Sequence, residues 1–331
     1  MFFARRLGHA ALGLSDAMQA ALARTAMLGR VVEVSGFGSN PGALRMLAYA
    51  PPRLPAGRPL VVVLHGCGQD AAGFAADAGW LALAQRLGVA LLLPEQGNAN
   101  NRGRCFNWYR PADVRRGGGE AMSIRQMLRA AIGRYGSDPR RVFIAGFSAG
   151  GGMAAAMLAA YPAVFAAGGV VAGMPVGCAG TSLLALQQMH RAGGAWRSRR
   201  DLADAVRAAT PPRPGRPWPR LSIWQGGRDR TVDPANAEIL AAQWSELHGC
   251  GAEPATEAEV APGLRRLTWG RPGGKAARPA VELWRLARLG HGFPVDPRGA
   301  GGGREGAWVV DAGLSAAQRM AEFWGISSGR R

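Results

Sequence analysis

The chain has 331 residues, of which 40 are Lys or Arg and 22 are Asp or Glu, a formal net charge of +18. Hydrophobic residues make up 48% and charged residues 19%, too apolar for intrinsic disorder and enough chain to bury a real core. No stretch approaches the ~18 consecutive apolar residues of a membrane span, so an integral helical membrane protein is excluded, and the length excludes a short disulfide scaffold.

Arg5 and Arg6 precede a short apolar stretch, Leu7 to Leu14, and Ala21-Leu22-Ala23 fits a cleavage site, as in an export signal. His9 and Asp16 interrupt that pattern, and residues 15–29 read as an Ala-rich amphipathic helix. Extended segments follow at 30–34 and 44–50, then Pro51-Pro52 and Pro55 break the chain. Residues 60–64 are continuously apolar, as strands covered on both faces are. Helical spacing over 71–87 leads to a second buried strand, Val89 to Leu93, closed by Pro94. A helix over Ala121–Tyr135 precedes a third strand at Val142–Ala145, and a helix over 151–160 follows it. Further strands are expected at Ala167–Val171, Leu221–Trp224 and Val281–Leu289, with helices near 235–248 and 315–324. Strands alternating with helices predict an α/β fold with a mostly parallel central sheet flanked by helices. Residues 210–220 contain five prolines and form an extended loop or a linker; residues 297–306 are Gly-rich and read as a flexible loop.

Lys275 is the only lysine, so the positive charge is almost all arginine, spread along the whole chain. Pairs such as Arg115-Arg116, Arg140-Arg141 and Arg199-Arg200 do not build a basic run of about 5–8 residues, and no specific nucleic-acid partner is expected. A non-catalytic polyanion-binding protein is the competing class, since the charge alone would draw the chain to acidic polymers. The cysteines at 67, 105, 178 and 250 have neither CxxC spacing nor an adjacent His pair, which argues against a zinc site. They permit two disulfides in three connectivities, or four reduced thiols.

The strongest chemical signal is Gly146-Phe147-Ser148-Ala149-Gly150, with a strand running in and a helix running out. That is the strand-turn-helix of a nucleophile elbow, where small flanking residues leave room for a tight turn and Ser148 stands at the carboxyl end of the sheet. The helix N-terminus behind it favours a developing oxyanion. A serine nucleophile needs a base, and the chain has five histidines. His9 is far from any strand end, and His190 and His248 close helices. His65 ends a strand and reads as structural. His291, between Gly290 and Gly292 after the last long strand, is left as general base. The orienting acid should fall between serine and histidine in the chain. Asp229 follows a strand at the carboxyl edge of the sheet; Asp233, its rival, is accounted for as an N-cap with Pro234 behind it. The turn His65-Gly66-Cys67-Gly68-Gln69 is expected to supply one backbone N–H to an oxyanion hole and Ala149 the other, with a plain tight turn around a buried His as the alternative. Trp108, Tyr109 and Phe293 either reach the cleft as substrate-binding residues or pack beneath loops. No metal or organic cofactor is required.

LHGCGQD, PEQ, CFNWYRPADVRRGGGE, DPRRVFIAGFSAGGGMAAAM, IWQGGRDRTVDPANAE and GHGFP, in this order, resemble the poly(3-hydroxybutyrate) depolymerase family of esterases. The resemblance spans about residues 31 to 325, read as one catalytic domain behind an N-terminal segment of residues 1–30. It implies an α/β-hydrolase fold with Ser148, Asp229 and His291 as triad, Cys67 and Ala149 as oxyanion donors, and a Cys67–Cys105 disulfide. It also implies an ester substrate: short hydroxyalkanoate oligomers or the polyester itself, or else feruloyl or acetyl esters of plant polysaccharides. Two departures favour soluble short esters over polymer. The chain ends soon after Phe323-Trp324, where polymer-degrading members continue into a linker and binding domain, and Gly292-Phe293-Pro294 stands where the family usually has Ala-Trp-Pro. The family points to a secreted or periplasmic protein, while the interrupted apolar stretch points to the cytoplasm.

Overall fold

The computed structural model describes residues 16–192, 198–270, 278–299 and 302–326; the candidate export stretch at Leu7–Leu14, with His9, lies outside them. Helix α1 (Asp16–Leu28) comes first, followed by strands β1 (Val32–Glu33), β2 (Arg45–Tyr49) and β3 (Leu60–Leu64). Helices α2 (Ala71–Asp77) and α3 (Trp80–Leu87) lead to β4 (Ala90–Glu95), α4 (Pro111–Val114) and α5 (Gly119–Tyr135). Strand β5 (Val142–Phe147) runs into α6 (Ala149–Ala160), then β6 (Ala167–Val171), α7 (Ser182–His190), α8 (Arg199–Arg207), β7 (Arg220–Gly226) and α9 (Ala235–Leu247). A hairpin of β8 (Thr256–Ala261) and β9 (Leu264–Trp269) precedes β10 (Val281–Leu286), β11 (Phe293–Val295), β12 (Val309–Asp311) and α10 (Ala316–Trp324).

The large sheet has the order β1-β2-β4-β3-β5-β6-β7-β10-β9-β8. Its middle, from β4 to β10, is parallel, and antiparallel strands close both edges. Alternate residues of the central strands feed two cores, because successive side chains leave opposite faces of a strand. Val62, Leu64 and Ile144 pack with α5, α6 and α9 on one face. Val61, Val63, Phe143 and Phe147 pack with α2, α3 and α10 on the other. Covering both faces is what made these strands continuously apolar in sequence.

The structure departs from the sequence expectation in places that tertiary context explains. The single helix expected over 71–87 is two, parted at Gly79, whose φ of 83° is in the left-handed region. Pro94 lies inside β4; β3 pairs with β4 only up to Leu92, so a missing N–H is tolerated at Pro94. The β8–β9 hairpin was not foreseen, because β8 is solvent-exposed along nearly its whole length and carries no apolar signature. Residues 210–220 form a loop rather than an interdomain linker: Trp218 packs on the main core and the Pro219 carbonyl accepts the Trp244 Nε1–H at 3.0 Å.

Candidate active site

The turn at Ser148 is set by two glycines. A Cβ at Gly146 would meet the Gly150 carbonyl oxygen at 2.1 Å, and one at Gly150 would meet the His65 carbonyl oxygen at 2.4 Å. No larger residue fits either place. Ser148 has φ 55° and ψ −119°, a strained conformation for a residue with a Cβ, and its N–H donates to the Val171 carbonyl at 2.9 Å. Sharp reversal at the end of β5 leaves the hydroxyl above the sheet and starts α6 directly beneath it.

The other two loops are zipped together. Gly227 N–H donates to Leu286 O and Arg228 N–H to Leu289 O, both at 2.9 Å. A Cβ at Gly226 would meet Leu289 O at 2.4 Å. The loop after β7 therefore lies against the loop after β10, and Asp229 meets His291. His291 Nδ1 is 2.8 Å from Asp229 Oδ2, and its Nε2 is 3.1 Å from Ser148 Oγ. With the Nδ1–H donating to the carboxylate, Nε2 is left as acceptor for the serine hydroxyl. Asp229 Oδ1 accepts the N–H groups of Thr231 and Val232, and Oδ2 also accepts from Gln225 Nε2 at 3.1 Å. Burial works against its charge, yet the His291 bond and the two backbone N–H groups outweigh it and hold the carboxyl below its ordinary value. Gln225 was not singled out in sequence; it sits in the IWQGG block, but nothing in one sequence shows which way a strand-end amide turns.

Asp233 is occupied elsewhere. Its carboxylate accepts the N–H groups of Ala235 and Ala192, each at 3.0 Å, so it braces the start of α9, which opens at Ala235.

The turn after β3 is pinned from several directions. Cys67 is disulfide-bonded to Cys105, Gly68 N–H donates to Gly103 O at 2.9 Å, and Gln69 Nε2 donates to Ala307 O at 2.8 Å. His65 is fully buried: its Nδ1 lies 2.7 Å from Gly66 O, and its Nε2 accepts the Gln96 N–H at 3.1 Å. Burial pushes this imidazole below its ordinary pKa, consistent with a neutral ring carrying its proton on Nδ1. Gln96 in turn donates to Glu120, a buried carboxylate that also accepts from Asn107 and Asn100. Among the described residues no hydrogen bond takes up the N–H of Cys67 or of Ala149.

The aromatic expectations divide. Phe293 is a correction: it is fully buried, edge-on to Phe74 at 5.4 Å, because β11 carries it into the core. Trp108 is almost as buried and packs on α6, where a Cβ at Gly152 would meet its ring at 2.9 Å. Tyr109 is half-buried, and its hydroxyl accepts from Ser182 Oγ at 3.1 Å. Two rings flank the catalytic-type histidine: the buried Phe147, with ring centres 5.0 Å apart, and on the exposed side Trp308, 51% exposed and edge-on to His291 with ring centres 5.7 Å apart. Sequence reading missed Trp308, since it follows the Gly-rich loop. The parallel β11–β12 pairing, with Phe293 N–H donating to Trp308 O at 2.8 Å, brings it to the site.

A parallel sheet with a serine elbow, and with Asp and His delivered from later strand ends, defines an α/β-hydrolase. Among solved structures, an acetyl xylan esterase from Aspergillus awamori shares the fold, with TM-score 0.73 over 90% of this chain and 99% of that one at 24% identity. The family model for esterase PHB depolymerases matches residues 44–266, and the chain belongs to that family. Poly(3-hydroxyalkanoate) depolymerase C of Paucimonas lemoignei is 37% identical over 303 residues, 89% of this chain and 70% of that protein. Feruloyl esterase B of Talaromyces funiculosus is 28% identical over 277 residues, 80% of this chain and 74% of that protein. The protein is a serine hydrolase acting on carboxylic ester bonds.

Proposed function

We propose that Ser148 attacks the ester carbonyl, His291 takes its proton through Nε2, and Asp229 holds the imidazole in the tautomer that makes this possible. The tetrahedral oxyanion is met by the N–H groups of Cys67 and Ala149, the second at the start of α6 where the helix dipole adds to it. His291 then returns the proton to the leaving alcohol, and water repeats the sequence on the acyl-enzyme. The observation that carries this reading is the unbroken chain of contacts from Asp229 through both ring nitrogens of His291 to Ser148. Residues 31–325 make up the catalytic domain, with α1 tied to α2 by the Arg24–Asp77 ion pair at 3.0 Å.

The substrates are soluble short-chain esters, hydroxybutyrate oligomers first among them. Support comes from the similarity to a poly(3-hydroxyalkanoate) depolymerase and from the exposed Trp308 ring beside His291, a flat apolar surface for a short acyl chain. Feruloyl or acetyl esters of plant polysaccharides are the second reading, favoured by the feruloyl esterase similarity and by the same ring, on which an aromatic acyl group would stack. A disulfide persists in oxidising compartments, which supports a secreted or periplasmic protein over a cytoplasmic one. Among the described residues no helix is long and apolar enough to cross a membrane.

One set of assays tests both parts. On p-nitrophenyl butyrate, Ser148→Ala should lose roughly 10⁴-fold or more in kcat, while Asp233→Asn stays close to wild type. Near-normal turnover by Ser148→Ala removes it from the role. On a panel of trimeric hydroxybutyrate, methyl ferulate, acetylated xylan and polymer granules, the trimer should be fastest; granules degraded faster than the trimer would overturn the substrate assignment.

A further inference from the structure

Five arginines gather in one place, four from residues 207–220 and the fifth from just before β10. At the amino-terminal edge of the sheet, away from Ser148, a cavity of about 750 Å³ opens where β7 begins and where the chain enters β6 and β10. Arg207, Arg213, Arg216, Arg220 and Arg278 line it together with Trp218, and among the described residues its lining contains no Asp or Glu. Among the described residues three carboxylates lie near it and each is engaged; Glu322, which lines the adjoining cavity with Arg220 and Arg278, is bound by Arg319 at 3.0 Å. Asp204 holds Arg207 at 2.6 Å at the rim, and the buried Glu282 is bound by Arg266 and Ser222. Among the described residues the remaining four guanidinium groups have no carboxylate partner.

Two of them, Arg213 and Arg220, are partly buried and built in, while Arg216 and Arg278 are exposed at its mouth. Arg220 lies over the Phe323 ring at 4.0 Å and its Nε donates to Pro279 O at 2.9 Å, and no hydrogen bond to a described residue engages its Nη groups. Arg213 stacks on Trp218 at 5.3 Å, and its Nη1 is buried with no hydrogen-bond partner. A buried donor without an acceptor is costly, and several like charges sharing a concavity raise that cost. Burial, with Arg278 and Arg266 beside it, holds Arg220 down to about 10, and burial with Arg216 lowers Arg213. An oxyanion placed among them would relieve both effects, and the planar guanidinium matches phosphate oxygens two at a time.

We infer that this cavity binds a compact, soluble anion carrying two or more phosphate groups. Among the described residues four guanidinium groups have no carboxylate partner, more than a single carboxylate neutralises, and the concave site between strand ends and the Pro-rich loop suits a small polyanion better than a flat surface. The site is separate from the ester-cleaving centre, so the two activities are independent.

The test is calorimetric titration with inorganic tripolyphosphate at about 0.15 M NaCl, where diffuse surface attraction is largely screened. Wild type should show saturable binding of one anion. Arg213→Ala with Arg216→Ala should weaken it by roughly tenfold or more. Arg129→Ala with Arg134→Ala, on α5, has the same net charge and should bind as wild type. Both double variants should keep wild-type turnover of p-nitrophenyl butyrate, which shows that they are folded. No saturable binding, or equal loss in the two double variants, would reduce the cavity to part of a general positive field. Phosphatidylglycerol vesicles that bound in a cavity-dependent way, with tripolyphosphate not binding, would equally overturn the assignment to a compact anion.

Discussion

Trp308 is held in place at a cost. Its φ of 63° is unusual for a bulky side chain, and half of its surface is left to solvent. Strain of this kind, on the order of 1–3 kcal/mol, persists where the surroundings impose it, and here the β11–β12 pairing and the Gln69 bond to Ala307 do so. The ring touches the imidazole edge but is no part of the proton path, so its contribution is to substrate contact. Trp308→Ala should raise KM for trimeric hydroxybutyrate severalfold while kcat on p-nitrophenyl acetate, too small to reach the ring, changes little. An equal fall in kcat on both esters would instead make the ring a support for His291.

At the scale of elements, the β3 turn is governed by what its neighbours supply. His65 stays neutral because burial penalises its charge, and both ring nitrogens already have partners. Its native pKa lies below the unfolded value of about 6.5. Below that pH the unfolded chain takes up a proton that the folded ring refuses. The stabilisation is therefore complete above pH ~6.5 and declines as pH falls toward the native pKa. Thermal melts of wild type and His65→Gln from pH 7.5 to pH 5 should show the steeper loss of Tm in wild type. Parallel curves would show that His65 does not set the acid sensitivity. The same turn is tethered by the Cys67–Cys105 disulfide and by the Gly68 N–H bond to Gly103 O.

For the whole molecule the dominant fact is the charge of +18. Ion pairs such as Arg45–Glu33 and Arg285–Glu238 use some arginines, but exposed pairs contribute little each, and the surplus repels itself. Raising NaCl from about 20 mM to about 500 mM shortens the screening length and should raise Tm at pH 7 by several degrees. A fall in Tm would mean that attractive pairs outweigh the net repulsion.

Much of this protein was legible in one dimension. The α/β alternation could be read because strands covered on both faces must be apolar throughout, and the elbow because only small residues fit around Ser148. Histidines are few and an acid that opens a helix is recognisable, which singled out His291 and Asp229 as residues that the structure then brings to Ser148. What the chain order does not encode is which loops meet. The burial of Phe293, the arrival of Trp308 at His291 and the meeting of Arg278 with the arginines of residues 207–220 all depend on pairings between distant segments. A side chain's neighbours across such a pairing leave no periodic trace in its own segment, so only the folded sheet decides them.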